Sequence, residues 1–185
     1  MEQPGERTPA PGDLSLVQAF INSADLETGQ EDLADVDSAL RWLRSNGAAE
    51  LPVDETGRRR LVDVREALRD VLTENADEAT SAASAERLTG MLSGALLRPL
   101  VSVRGAELVP ACAGVDGFLA SLGAAIAEAT VAGTWDRLKV CRDDACRWAF
   151  YDHSKNGRGA WCTMRICGNR AKARAYRERQ RAATG

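Results

Sequence analysis

Four cysteines near the C-terminal end constrain this chain more than any other feature. Cys141 and Cys146 form a C-x4-C pair, fifteen residues follow, and Cys162 and Cys167 repeat the C-x4-C spacing. Two short cysteine loops joined by a longer segment bring four thiolates to the corners of a tetrahedron, the arrangement Zn²⁺ prefers. A four-thiolate shell leaves no position open for water. The spacing therefore predicts one structural Zn²⁺ per chain, which stabilises folding rather than catalysing a reaction. An iron–sulfur cluster or a redox-sensing dithiol would be the competing uses of the same sulfurs. Cys112 stands alone and reads as a small, half-buried apolar residue. His153, the single histidine, reads as a solvent-facing loop residue, because four thiolates already complete a shell. Trp148 and Phe150, after the first pair, read as the small core of a unit with little else to pack around.

Charge divides the chain at about the same place. Residues 135–185 hold 13 Lys/Arg and 5 Asp/Glu, a net of +8, whereas residues 1–134 hold 11 and 22, a net of −11. Two units with different partners are expected, the basic one facing a polyanion. The alternative is that the two halves neutralise each other.

The acidic part reads as mainly α. Leu14, Val17, Phe20 and Ile21 carry a short helical spacing closed by Asn22-Ser23. Val36, Leu40 and Leu43 mark a second helix stopped at Asn46-Gly47. The most regular stripe is Leu61, Val64, Leu68, Val71 and Leu72. A further helix is predicted over 82–97, ended by Pro99. Leu100, Val101, Val103, Leu108 and Val109 flank Arg104-Gly105-Ala106 as one β-hairpin, and a last helix runs from Asp116 to about Ala132. The expected organisation is a disordered lead-in over 1–12, a self-sufficient helical domain over 13–134, and a zinc-bearing unit over 135–185 that ends in a basic helix. No apolar run looks long enough to span a bilayer, and residues 1–12 lack the features of a signal peptide, so a cytoplasmic protein is expected. Phosphate-binding glycine motifs and a nucleophile elbow are missing, and a site built on two histidines is excluded; nothing argues for an enzyme.

After Cys167, Gly168 permits a turn and Asn169 is a candidate N-cap for a helix from Arg170. At about 100° per residue, Arg170, Arg174, Arg177 and Arg181 fall in one stripe, with Lys172 and Arg179 on the opposite side. Four aligned guanidinium groups are unfavourable unless an anion is near, and a phosphate backbone supplies one. These six side chains, with Arg165 and Asn169, are the candidate nucleic-acid contacts. The competing readings are a solvated face and docking onto the acidic domain.

The run Cys167-Gly168-Asn169-Arg170 resembles the CGNR zinc finger that closes bacterial ABATE-domain proteins. Cys141-x4-Cys146-Arg147-Trp148, Phe150-Tyr151-Asp152, Ser154-Lys155-Asn156, Trp161-Cys162 and Tyr176-Arg177 also match. The likeness extends more weakly to Asn22-Ser23, Arg65-Glu66-Ala67-Leu68 and the hairpin. It implies a stress-induced transcription regulator with the four cysteines as zinc ligands, the finger as the DNA-binding part and the first domain as a sensor or partner module. The combined reading is a DNA-binding regulator that takes duplex DNA as partner. Its N-terminal domain would bind a small-molecule effector or form a homodimer, since one finger buries little surface. An RNA-binding module and a protein-interaction adaptor are the alternatives, and an enzyme with a pocket in the first domain is the least supported.

Overall fold

The structure is a computed structural model that describes residues 7–48, 51–74 and 83–184. Its order is α1 (Leu14–Ile21), β1 (Ala24–Asp25), β2 (Gln30–Glu31), α2 (Val36–Ser45), α3 (Glu55–Glu74), α4 (Ala83–Met91), β3 (Leu97–Ser102), β4 (Gly105–Pro110), α5 (Gly114–Val131), β5 (Leu138–Val140), β6 (Ala149–Tyr151) and α6 (Asn169–Thr184). The mainly α architecture with a β3–β4 hairpin is the one expected. Two shorter antiparallel ribbons, β1–β2 and β5–β6, accompany it.

The apolar spacing of the helices sets the core. Leu14, Val17, Phe20 and Ile21 of α1 are buried against Leu61, Val64, Leu68 and Leu72 of α3 and Phe118, Leu119 and Leu122 of α5. Aromatic rings knit three helices together, Phe20 lying 5.4 Å from Phe118 and Trp42 6.1 Å from Phe118 between centroids. In α2 the buried face centres on Ala39, Trp42 and Leu43 rather than on Val36 and Leu40, because the large indole takes the inward position. Asp35 caps that helix by accepting from the Ser38 N–H at 2.7 Å.

Several expectations change. The helix predicted over 82–97 ends at Met91, and from Leu97 the chain is strand. Gly90 and Gly94 weaken a helix there. A side chain at Gly94 would also come within 2.7 Å of Asp116, whose carboxylate holds Arg60 at 2.6 Å. Pro99 thus lies inside β3 instead of ending a helix. Residue 82, the expected start, lies outside the described residues. Within the span expected as lead-in, Ala10 is buried, and its N–H donates to Gln18 Oε1 at 2.7 Å. One described helix, α5, is long and apolar enough by composition to cross a membrane, where no such segment was expected. Its buried Phe118, Leu119, Leu122 and Ala125 belong to the core, the role that explains its apolar character.

The core also runs past Thr134. Leu138, Val140, Ala149 and Tyr151 of β5 and β6 join the α1–α3–α5 core, while Trp148 and Phe150 turn to the other side, among the cysteines. The twofold alternation of a strand makes this division: one short strand, β6, serves two cores.

Two buried arginines were not foreseen as core residues. Arg65 and Arg69 lie on the inward face of α3. Arg65 grips Glu31 with two bonds of 2.6 Å. Arg69, whose side chain is fully buried, pairs with Glu66 and donates to the carbonyls of Ile21 and Ala24 at 2.6 and 3.1 Å. Burial pulls the Arg69 pKa down, against the pull of Glu66. The Arg69 guanidinium satisfies the backbone where α1 ends and β1 begins, while Arg65 donates to the Ser23 hydroxyl at 3.2 Å beside it.

Candidate metal centre and basic helix

The first cysteine pair sits on the turn between β5 and β6. Cys141 N–H donates to the Trp148 carbonyl at 2.9 Å, and the N–H groups of Cys146 and Arg147 both donate to the Asp143 carbonyl. Arg147 adopts φ 45°, the one left-handed non-glycine residue among those described. This curls the loop so that both sulfurs point the same way. The second pair brackets an irregular helical turn, Met164–Gly168, capped by the Thr163 hydroxyl accepting from the Ile166 N–H at 3.2 Å.

All four cysteines are buried, and their Sγ atoms lie within 4.8 Å of one another. Cys146 and Cys167 each stand 3.6 Å from the Cys162 sulfur. Four sulfurs about 2.3 Å from a shared zinc would be about 3.8 Å apart, so the cluster has the dimensions of a tetrahedral shell. The thiols themselves point to a cation. Hydrogen bonds from Cys146 and Cys162 pull the Cys141 pKa down, and the same contacts push Cys146 and Cys162 up, while burial raises Cys167. Without a positive ion, one thiolate suppresses the others; four together need a metal. His153 is exposed, bonded to the Thr8 carbonyl at 3.0 Å, and takes no part in the cluster. Cys112 is half-buried and apart from it.

The surroundings hold the cluster rigidly. Trp148, Phe150 and Trp161 form its apolar wall, and the Arg7 guanidinium covers the Phe150 ring at 4.7 Å while donating to the Trp161 carbonyl at 2.9 Å. Asp152 organises the loop between the cysteine pairs. It accepts from the N–H groups of Ser154 and Gly159 at 3.0 and 2.6 Å and pairs with Lys139 at 3.2 Å. Burial opposes its charge, but these donors prevail and hold its pKa down at about 2. On the opposite side, Asn22 clasps β6: its Nδ2 donates to the Ala149 carbonyl and its Oδ1 accepts the Ala149 N–H, both at 2.8 Å.

The basic helix begins differently from expectation. Asn169 has helical dihedrals, and its side chain donates to the Arg165 carbonyl at 3.0 Å. It is an interior residue, and Thr163 does the capping. Gly168 does not take the left-handed turn, and a Cβ there would press on the flexible, half-exposed Met164 side chain.

The expected arginine stripe divides. Arg170 pairs with Glu27, in the β1–β2 turn, and approaches Asp143 at 3.9 Å; Arg174 bonds Asp143 at 3.3 Å. The Asp143 side chain is 2% exposed, and its Oδ2 has no hydrogen-bond partner. The two arginines are the counterions that make such burial tolerable. Arg177 folds back onto the Ala173 carbonyl at 3.2 Å. Lys172, Arg179 and Arg181 are exposed, as is Arg165 in the preceding turn. Asp143 and Glu27 carry no sequence signal for this task, since neither spacing nor periodicity connects them to α6. Beyond Arg174 the described part of α6 buries no residue.

A family model for the CGNR zinc finger matches residues 137–180, and the ABATE model, described as "Putative stress-induced transcription regulator", matches residues 14–134. No individually curated protein matches the chain. The finger accounts for the cysteine cluster as a site for one zinc ion, and the description of the larger part is that of a regulator rather than an enzyme. With more than half of its length matched by the ABATE model and the cysteine cluster by the CGNR model, the chain belongs to the ABATE family and carries a C-terminal CGNR zinc finger.

Proposed function

We propose that this protein is a DNA-binding transcription regulator in which Cys141, Cys146, Cys162 and Cys167 hold one zinc ion and α6 contacts duplex DNA. The supporting observation is α6 itself: a helix rooted at the metal cluster, exposed along its outer turns, and carrying six cations against one Glu178. Arg170, Lys172, Arg174, Arg177, Arg179 and Arg181, with Arg165 and Asn169 at its base, are the contact set. Zinc fixes the base of the helix, and the helix tracks or enters a groove. The first domain supplies effector binding, with the 840 Å³ groove lined by Leu16, Ala19, Glu31, Arg41 and Trp42 as the candidate recess. A regulator of this kind acts in the cytoplasm, at the nucleoid.

The contact of Arg170 and Arg174 with Glu27 and Asp143 favours a second reading, in which the finger is an adaptor that docks on acidic protein surfaces. Salt dependence of duplex DNA binding by the zinc-loaded chain separates the two. Each neutralised phosphate contributes a slope of about −0.9 in log K against log salt. Arg177→Ala with Arg179→Ala, two exposed cations with no part in the Asp143 contact, lowers that slope by about two and weakens binding to all sequences. Competition between duplex DNA and single-stranded RNA tests the choice of nucleic acid. No duplex binding at low salt by a fully metallated chain overturns the proposal in favour of the adaptor.

A further inference from the structure

The β3–β4 hairpin is sorted by sidedness in a way the proposed function does not use. Its register pairs Leu97 with Pro110, Pro99 with Leu108 and Val101 with Ala106 on one face; Arg98–Val109, Leu100–Glu107 and Ser102–Gly105 fall on the other. The first face is wholly apolar. It is also in water: Val101 is 76% exposed, Leu108 47%, and Pro99 and Ala106 are exposed as well. Val103, at the tip where hairpins usually place Asn, Asp or Gly, is fully exposed. Among the described residues, none of these side chains belongs to either core.

Each edge of the ribbon is blunted against strand addition by one proline. Counting from the closing pair Ser102–Gly105, hydrogen-bonded and non-hydrogen-bonded pairs alternate. Pro99 and Pro110 then occupy positions whose N–H would point outward, one on each strand. Each edge lacks an outward donor where a further strand would need it. These prolines favour a partner that covers the face over one that extends the sheet.

We propose that this apolar face is a homodimer contact, covered by the same face of a second copy of this chain. The face carries no charge, so a twofold axis through it opposes no like charges, and Arg98 and Glu107 stay on the solvent side. Its residues expose on the order of 500 Å² per chain, so two stacked copies remove at most about 1,000 Å² from water, the lower bound of a biological interface and the range of a weak, reversible dimer. A two-stranded ribbon is marginal by itself, and stacking gives each copy the second layer it lacks.

Sedimentation equilibrium of the full zinc-loaded chain tests this. The parent sediments as a reversible dimer at about 100 µM. Val101→Glu with Val103→Glu raises the dimer dissociation constant at least tenfold, whereas Glu107→Arg, on the opposite face, leaves it unchanged. Helical circular dichroism of the double variant stays at the parent value, because the hairpin lies outside the core, and its unfolding midpoint loses only the concentration dependence that the dimer gives the parent; Val103→Ser at the tip weakens the dimer in the same direction without introducing charge. A parent that is monomeric at about 100 µM overturns the proposal. So does a dimer indifferent to Val101 and Val103, which would lie on another surface. A monomeric parent that co-sediments with anionic lipid vesicles, and loses this in the Val101 and Val103 variant, would assign the face to a membrane instead.

Discussion

Replacing Asn22 by alanine tests how the helical domain holds the finger. The Asn22 amide stands beside Ala149 as a neighbouring strand would, giving and receiving one hydrogen bond of 2.8 Å each, and both residues are essentially inaccessible to solvent. Alanine at position 22 orphans the Ala149 N–H, which costs about 1–3 kcal/mol when buried. The Ala149 carbonyl keeps a partner, because Gln18 Nε2 donates to it at 3.2 Å, so only the net worth of the second bond is lost, about 1 kcal/mol. Together the loss is about 2–4 kcal/mol, a large part of the roughly 5–15 kcal/mol that stabilises a domain. Urea unfolding of the zinc-loaded protein measures it as a lower midpoint at unchanged m-value. Amide exchange at Ala149 should accelerate by the same free energy. Asn22→Asp should not rescue, since its second oxygen faces the Ala149 carbonyl where a donor is needed. A loss below 1 kcal/mol, or an unaltered exchange rate at Ala149, would refute the view that this amide fastens the two parts.

Elemental analysis should find one zinc per chain; Cys162→Ser should abolish it and expose residues 135–185 to protease, while Cys112→Ser should change neither. Acidification should release the metal as the thiolates protonate, followed by a zinc-sensitive dye. Arg69→Ala should cost about 3 kcal/mol in thermal unfolding by leaving the Ile21 and Ala24 carbonyls without their donor; an unchanged midpoint would remove Arg69 from the structural account. A chain ending at Thr134 should unfold with low cooperativity, because Leu138, Val140, Ala149 and Tyr151 complete its core; a sharp transition equal to the parent's would show that the core closes without them.

What the sequence made legible was whatever local spacing encodes. The two C-x4-C pairs gave the cluster, the Leu61–Leu72 stripe gave the buried face of α3, and the alternation around Gly105 gave the hairpin. Local signals failed where tertiary contacts outweighed them. Asn169 has the chemistry of an N-cap, but Thr163 starts the turn one step earlier and leaves Asn169 inside a continuous helix. The proline- and glycine-rich lead-in has the composition of a disordered segment, yet Arg7 finds an aromatic face and Ala10 a gap beside Gln18. Arg65 and Arg69 follow the helical period of their apolar neighbours, but an α3 stripe drawn from apolar residues alone leaves them out. Only the carbonyls of Ile21 and Ala24 and the carboxylates of Glu31 and Glu66 explain their burial.

The same division explains why the finger and the helical part behave as coupled units in this reading. In β6, residues 149 and 151 enter one core while Phe150, with Trp148 just before the strand, faces the other, so β6 cannot shift along its axis without disturbing both. The helix α6 is fixed at two points of different ownership: Asp143 belongs to the cysteine turn and Glu27 to the β1–β2 ribbon. The Arg170–Glu27 contact is half-exposed and screened by salt, whereas Asp143 is enclosed. A change in the helical domain that moves the β1–β2 turn therefore releases Arg170 first and leaves Arg174 in place. Glu27→Gln reproduces that release without any effector. Under the proposed function it should make the slope of log K against log salt for duplex DNA steeper, by up to one phosphate contact. If the slope and the affinity match the parent, Glu27 does not compete with DNA for Arg170, and the β1–β2 turn has no hold on the basic helix.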